Sequence, residues 1–194
     1  MDKKHFEFIE PDLTPEQARA LVAKYLEKGG EQKDRDASAA GDRLRAKLSV
    51  EDFRAIVKWK TDNRGFTRLD KNTDADVLDA LRLALDAKCP RSAIAVLIGL
   101  DGVAVPVASA VMTMLKPESH TVIDFRALET LGYKGDYSSI SFYLRYLDYC
   151  TRLAHQWGMS LRNLDRALWQ WSKDKAASGQ TKAAAGVEIG DGLG

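Results

Sequence analysis

The stretch LDGVAVPVASAVMTMLKPESHTVIDFRAL, Leu100 to Leu128, holds the residues whose types and spacing are best suited to chemistry. Asp124 stands between Ile123 and Phe125, where apolar neighbours make an idle charge expensive. At the start of the segment FRALETL, a carboxylate can cap a helix and can also face a cleft where a reacting centre becomes cationic. Upstream, the four residues Leu100 to Val103 form a turn before an apolar segment that opens near Pro106. Gly102 supplies the positive φ of a tight turn, and Ala104, Ala108 and Ala110 allow two helix backbones to approach closely. The first amides of the second helix then lack partners and can grip a phosphate. From the turn alone a plain αα-hairpin is the simpler reading, and the carboxylate that follows is what favours a site.

A second group of residues carries charge. Between Arg54 and Lys71 lie Arg54, Lys58, Lys60, Arg64, Arg68 and Lys71 against the acids Asp62 and Asp70, with Trp59 and Phe66 interleaved. Lys58, Lys60, Arg64 and Arg68 are candidate phosphate contacts, and the aromatics offer a stacking face or a wedge. A solvated helix face with Trp59 half buried accounts for the same pattern. Arg126 can meet a phosphate or pair with Glu129 one turn on. Asp165 is read as a cap or as an ion-pair partner of Arg162 or Arg166. Trp157, Trp169 and Trp171 are read as core, while one of them, Tyr143 or Tyr146 can still wall a pocket.

The elements that must position these residues read as helices throughout. LTPEQARALVAKYL begins with Thr14 as cap, Pro15 in the first turn, Gln17 completing a capping box, and Ala18, Leu21, Val22 and Tyr25 on one face. Gly29 and Gly30 end it. EQKDRDASAAGDR is charged and small, a linker or a poorly packed helix. Ser49 caps VEDFRAIVKWK, whose Phe53, Ile56 and Val57 face inward and whose Lys58 and Lys60 fall outside that face. DADVLDALRLALDA and RSAIAVLIG follow, then a long helix through YSSISFYLRYLDYCTRLAHQW with Ile140, Leu144, Leu147, Thr151 and Ala154 down one side. Ser160 caps LRNLDRALWQWSK, with Leu161, Leu164, Leu168 and Trp171 inward. No segment alternates as a strand does, so the fold class is all-α. Residues 1–175 form one domain, and 176–194 are expected to be disordered for want of large apolar surface.

Composition sets the outer limits. With 194 residues and 45% hydrophobic content, the chain can bury one sizeable core or two small lobes around a cleft. Cys89 and Cys150 are too few for a tetracysteine zinc site or an iron–sulfur cluster, and with no signal peptide they point to a reducing cytoplasm. No apolar run is long enough to span a bilayer. His120 and His155 lack partners at metal-ligand spacing and are read as surface or loop residues, so no metal site from side chains is expected. The net charge of +1 says little until the charges are placed.

The pattern L-x-G-V-x-x-x-x-A, an apolar helix, then V-I-D before a further helix resembles the helix-hairpin-helix DNA glycosylase superfamily, in its 8-oxoguanine glycosylase-like branch. The match is close from Ile94 to about Leu131 and loose from Ser49 to Lys173. It implies a two-lobed helical fold that flips a base of double-stranded DNA into the cleft between lobes. Leu100, Asp101, Gly102, Val103 and Ala104 would form the hairpin that holds a DNA phosphate, its carbonyls able to take a monovalent cation. No other cofactor is implied. Asp124 would be the catalytic acid, and Trp59, Phe125 and Tyr143 are candidates for the base pocket. The lysine nucleophile of bifunctional members would fall on Val105 or Pro106, neither of which can form a Schiff base, so a monofunctional enzyme is expected. The substrate class is a damaged or modified base, in DNA repair or in defence against phage with modified bases. The alternative is a non-catalytic DNA-binding module that reuses the hairpin.

Overall fold

Side-chain caps set most of the helix starts. The computed structural model describes residues 7–27, 30–64 and 66–185. Among these there are ten helices and no strand: α1 Pro15–Glu27, α2 Gly30–Ala46, α3 Val50–Thr61, α4 Phe66–Leu69, α5 Asp74–Asp86, α6 Pro90–Leu97, α7 Val105–Leu115, α8 Phe125–Thr130, α9 Ile140–Gln156 and α10 Leu161–Ala185. The all-α class read from the sequence holds. Thr14 and Gln17 exchange the two bonds of a capping box at 2.8 and 3.2 Å, Ser49 accepts from the Asp52 amide, and Ser160 accepts from that of Asn163. None of the helices is long and apolar enough to cross a membrane.

The core is built around α7, in which every residue but Pro106 is buried. It packs against α2, α3 and α6. The charged segment after α1 proves to be an ordered helix rather than a linker, because Ala37, Ala40 and Leu44 make a narrow buried stripe on α2. Gly41 completes that stripe: a Cβ there would lie 2.6 Å from the Met114 carbonyl oxygen, so only glycine allows this approach to α7. The last helix α10 packs on α1, α8 and α9 and continues to Ala185, past the Ala176 boundary where disorder was expected. Residues 186–194 of that expected tail lie outside the described residues.

Helix α9 buries Leu147 and Ala154 as expected, but its inward face is centred on other residues. Phe142, Tyr143, Tyr146, Leu147, Cys150, Leu153 and Ala154 are buried, while Ile140 and Leu144 are half-buried and Thr151 is exposed. The tyrosines tolerate burial because the Tyr143 hydroxyl donates to the Thr121 carbonyl (3.3 Å) and the Tyr146 hydroxyl to that of Val122 (3.1 Å). His120, expected at the surface or in a loop, does lie in the loop after α7 but is buried there, and its Nε2 meets no partner among the described residues. Burial, with the charge of Lys116 acting in the same direction, pushes its pKa down to about 4 from 6.5. Below pH 6.5 the unfolded chain then binds a proton that the folded chain refuses, so stability falls as pH drops through that window, by about 3 kcal/mol in all. Urea titrations between pH 7 and 4 are expected to show this loss as a growing difference between the parent and His120→Gln, since contributions of opposite sign, such as that of Asp165, are common to both.

Candidate functional site

Asp124 is placed by a buried segment, Thr121 to Ile123, that side chains from three helices hold by its backbone. The Ser109 hydroxyl on α7 accepts from the Ile123 amide at 3.1 Å, the two tyrosines of α9 hold the carbonyls of Thr121 and Val122, and Lys60 Nζ donates to the Ile123 carbonyl at 3.2 Å. The segment ends at Asp124, the N-cap of α8, whose Oδ1 accepts from the Arg126 amide at 3.0 Å. Its Oδ2 accepts from Lys60 Nζ at 2.8 Å. The carboxylate is therefore fixed at both oxygens, with 21% of the side chain exposed. Lys60, which the pattern of α3 put outside the apolar face, is only 11% exposed; two acceptors brought from 63 and 64 residues away make its burial tolerable.

Asp124 and Lys60 line a cavity of about 400 Å³ together with Tyr25 of α1, Trp59 of α3, and Arg166 and Trp169 of α10. Cations lie over its aromatic rings. The Arg162 guanidinium is 5.1 Å from the Trp59 centroid, and Arg126 is 5.6 Å from that of Trp169 and 5.0 Å from that of Phe125. Beneath the cavity Asp34 of α2, 1% exposed, accepts from both Arg162 and Arg166, and Arg162 also donates to Asp165. Burial pushes the Asp165 carboxyl up to about 6, against the lowering effect of Arg162 and Lys60. The arrangement presents flat aromatic walls, a fixed carboxylate and an ammonium to one ligand. A wider groove of about 1040 Å³ runs over α5 and α6, and none of the ionisable residues lining it is buried.

The turn between α6 and α7 lies at a different place on the surface. Gly102 has φ +81°, and a Cβ on it would sit 2.9 Å from the Leu69 amide nitrogen and 3.2 Å from Arg68 Cβ. Asn72 clamps the turn, accepting from the Asp101 amide (2.8 Å) and donating to the Asp101 carbonyl (3.0 Å). The amides of Gly102, Ala104 and Val105 meet no acceptor among the described residues. Leu100 to Ala104 and Arg68 thus come together, as the residues lining one shallow surface depression.

The remaining candidates divide. Trp59 and Lys60 join Asp124, Phe125 is 54% exposed beside it, and Arg126 stacks on Phe125 and Trp169. Lys58 and Arg64 are exposed and border neither place. Tyr143, expected in the base pocket, is instead sealed in the core, because its hydroxyl is committed to the Thr121 carbonyl. Tyr25 and Asp34 were not singled out as site residues, while Arg162 and Arg166 were read only as ion-pair partners of Asp165, and Trp169 as core or as one of the aromatics able to wall a pocket. A signal for the last three was present: Arg162, Asp165, Arg166, Trp169 and Lys173 form an i, i+3, i+4, i+7, i+11 stripe, polar and aromatic, on a helix whose other side is leucine-rich. No protein-family model, curated protein or solved structure matches the chain. Among the described residues no three His, Cys, Asp or Glu side chains are grouped so as to hold a metal ion.

Proposed function

We propose that the protein is a monofunctional DNA glycosylase of the helix-hairpin-helix kind, hydrolysing the N-glycosidic bond of a damaged or modified base flipped out of duplex DNA. The observation that carries this reading is a partly exposed carboxylate, Asp124, fixed at both oxygens inside a cavity walled by Trp59, Trp169 and Tyr25. A planar base stacks on such rings, and a carboxylate at its sugar stabilises the positive charge that grows on C1′ as the bond breaks. Water then captures C1′ and leaves an abasic site in an intact strand. The α6–α7 turn acts as the hairpin, its free amides taking a backbone phosphate, and the lobes on either side of the cavity form the cleft. Incubation with duplexes carrying oxidised, alkylated, deaminated or glucosylated bases, followed by alkali to cut at abasic sites, tests the reading. Release from none of them, with duplex binding retained, favours a DNA-binding module without catalysis.

Two results are expected of the DNA surface. Gly102→Val forces a β-branched residue to positive φ against Leu69, at about 1–3 kcal/mol, and should weaken binding to duplexes of any sequence alike. Unchanged affinity in the folded variant would leave the turn a structural element only. Arg68→Gln removes a cation beside that turn. If Arg68 meets a phosphate, the slope of log affinity against log salt falls by about 0.9, and an unchanged slope assigns it to solvent.

A further inference from the structure

We propose that Lys60 is a second catalytic residue, an acid that gives the departing base a proton and is recharged by Asp124 with the one taken from water. The inference rests on the glycosylase reading of the same cavity. Lys60 Nζ has three N–H donors. One goes to Asp124 Oδ2 at 2.8 Å, one to the Ile123 carbonyl at 3.2 Å, and the third meets no acceptor among the described residues. The side chain is largely buried, lines the cavity, and adjoins the Trp59 wall in sequence. As the ammonium of an ion pair Lys60 has no lone pair, so in this arrangement it is a donor and not a nucleophile for C1′.

The charge needs a reason beyond holding Asp124. An ammonium in contact with a carboxylate weakens that carboxylate's hold on a nascent sugar cation, and so by itself it opposes ionisation. The opposition disappears when the same ammonium faces the other product. As the C1′–N bond breaks, its electron pair goes to the base nitrogen, and negative charge spreads over the ring. The free N–H of Lys60 stabilises that charge and transfers its proton to the base, which leaves neutral. Water adds to C1′ and loses a proton to Asp124, which hands it through the 2.8 Å bond to the neutral amine. Both residues end as they began, and the net change is one water consumed, one base released and one abasic sugar formed.

Lys60→Arg and Lys60→Gln test the assignment. Arginine keeps the positive charge and the partner for Asp124, yet it cannot give up a proton, so a relay is lost in both variants while an ion-pair role survives in the first. Release is measured from the duplex whose base the parent protein excises in the base panel, and from the same base made a better leaving group by an added halogen. Both variants are expected to slow release of the first base by about 10²–10⁴-fold and of the halogenated base far less. Lys60→Arg at the parent rate, or equal losses on the two bases, would overturn the relay and leave the glycosylase standing. Borohydride trapping of the parent protein on a duplex with a preformed abasic site, lost in Lys60→Gln, would overturn it in favour of a nucleophilic lysine. No release from any duplex by the parent removes both the reading and the relay.

Discussion

Asp124→Asn is expected to lower the rate of base release by about 10²–10³-fold while duplex affinity stays close to that of the parent. The amide oxygen of asparagine can accept from the Arg126 amide as Oδ1 does now, so the cap of α8 survives. What goes is the charge, and with it the ion pair that Oδ2 makes with Lys60. Lys60 keeps the Ile123 carbonyl, so the variant should fold with a loss of about 1–3 kcal/mol. A probe free of any base separates catalysis from folding. A duplex bearing a cationic pyrrolidine in place of the sugar mimics the charge at C1′, whereas one bearing tetrahydrofuran has the same shape without it. The parent protein is expected to prefer the cation, and the variant is not. Equal binding of the two by the parent, with full activity in Asp124→Asn, would remove this carboxylate from the mechanism.

Asp124 was legible because its signal is local. A carboxylate between two large apolar residues at a helix start is conspicuous in one line of sequence, and so is a glycine that must take positive φ in a four-residue turn. Lys60 was not, because nothing within α3 tells whether a lysine beside the apolar face reaches solvent or a distant acceptor. The answer came from 64 residues away. The same holds for α2, whose composition reads as a linker or a poorly packed helix until Asp34 finds two arginines 128 and 132 residues further on. On α9 the aliphatic and tyrosine-bearing faces compete, and periodicity cannot choose between them. The carbonyls of Thr121 and Val122 choose, by supplying acceptors that a buried tyrosine needs.

The stripe on α10 joins the fold to the site. Arg162 lies over Trp59, Arg166 is 6.0 Å from the Tyr25 ring centroid, and Trp169 meets Tyr25 edge-on at 5.5 Å. One helix therefore sets the spacing of walls that come from α1 and α3. The charges that make this possible would repel if left alone, and α2 supplies the anion between them.

Asp34→Ala should for that reason be the most destabilising of these substitutions, by about 3–5 kcal/mol, because it leaves two guanidiniums facing a buried vacancy instead of a carboxylate. Arg162 keeps Asp165 and Arg166 keeps Asn163, but both Nε atoms are already buried without partners, so neither arginine has a spare bond to fall back on. Urea unfolding of the variant should show a lower midpoint with an unchanged slope, as expected for a lost interaction rather than an altered unfolded state. The loss belongs to the uncompensated charges and not to the missing carboxylate as such. Replacing Asp34, Arg162, Asp165 and Arg166 together by apolar residues of similar size should therefore recover much of the stability, since a buried ion cluster contributes little net free energy over well-packed hydrocarbon and no member is left unpaired. The quadruple variant should fold and yet release no base, because the rings of Trp59 and Tyr25 lose the cations that lie over them. If Asp34→Ala alone unfolds at the parent's urea midpoint, water reaches these arginines, and the polar cluster under the cavity is solvated rather than sealed.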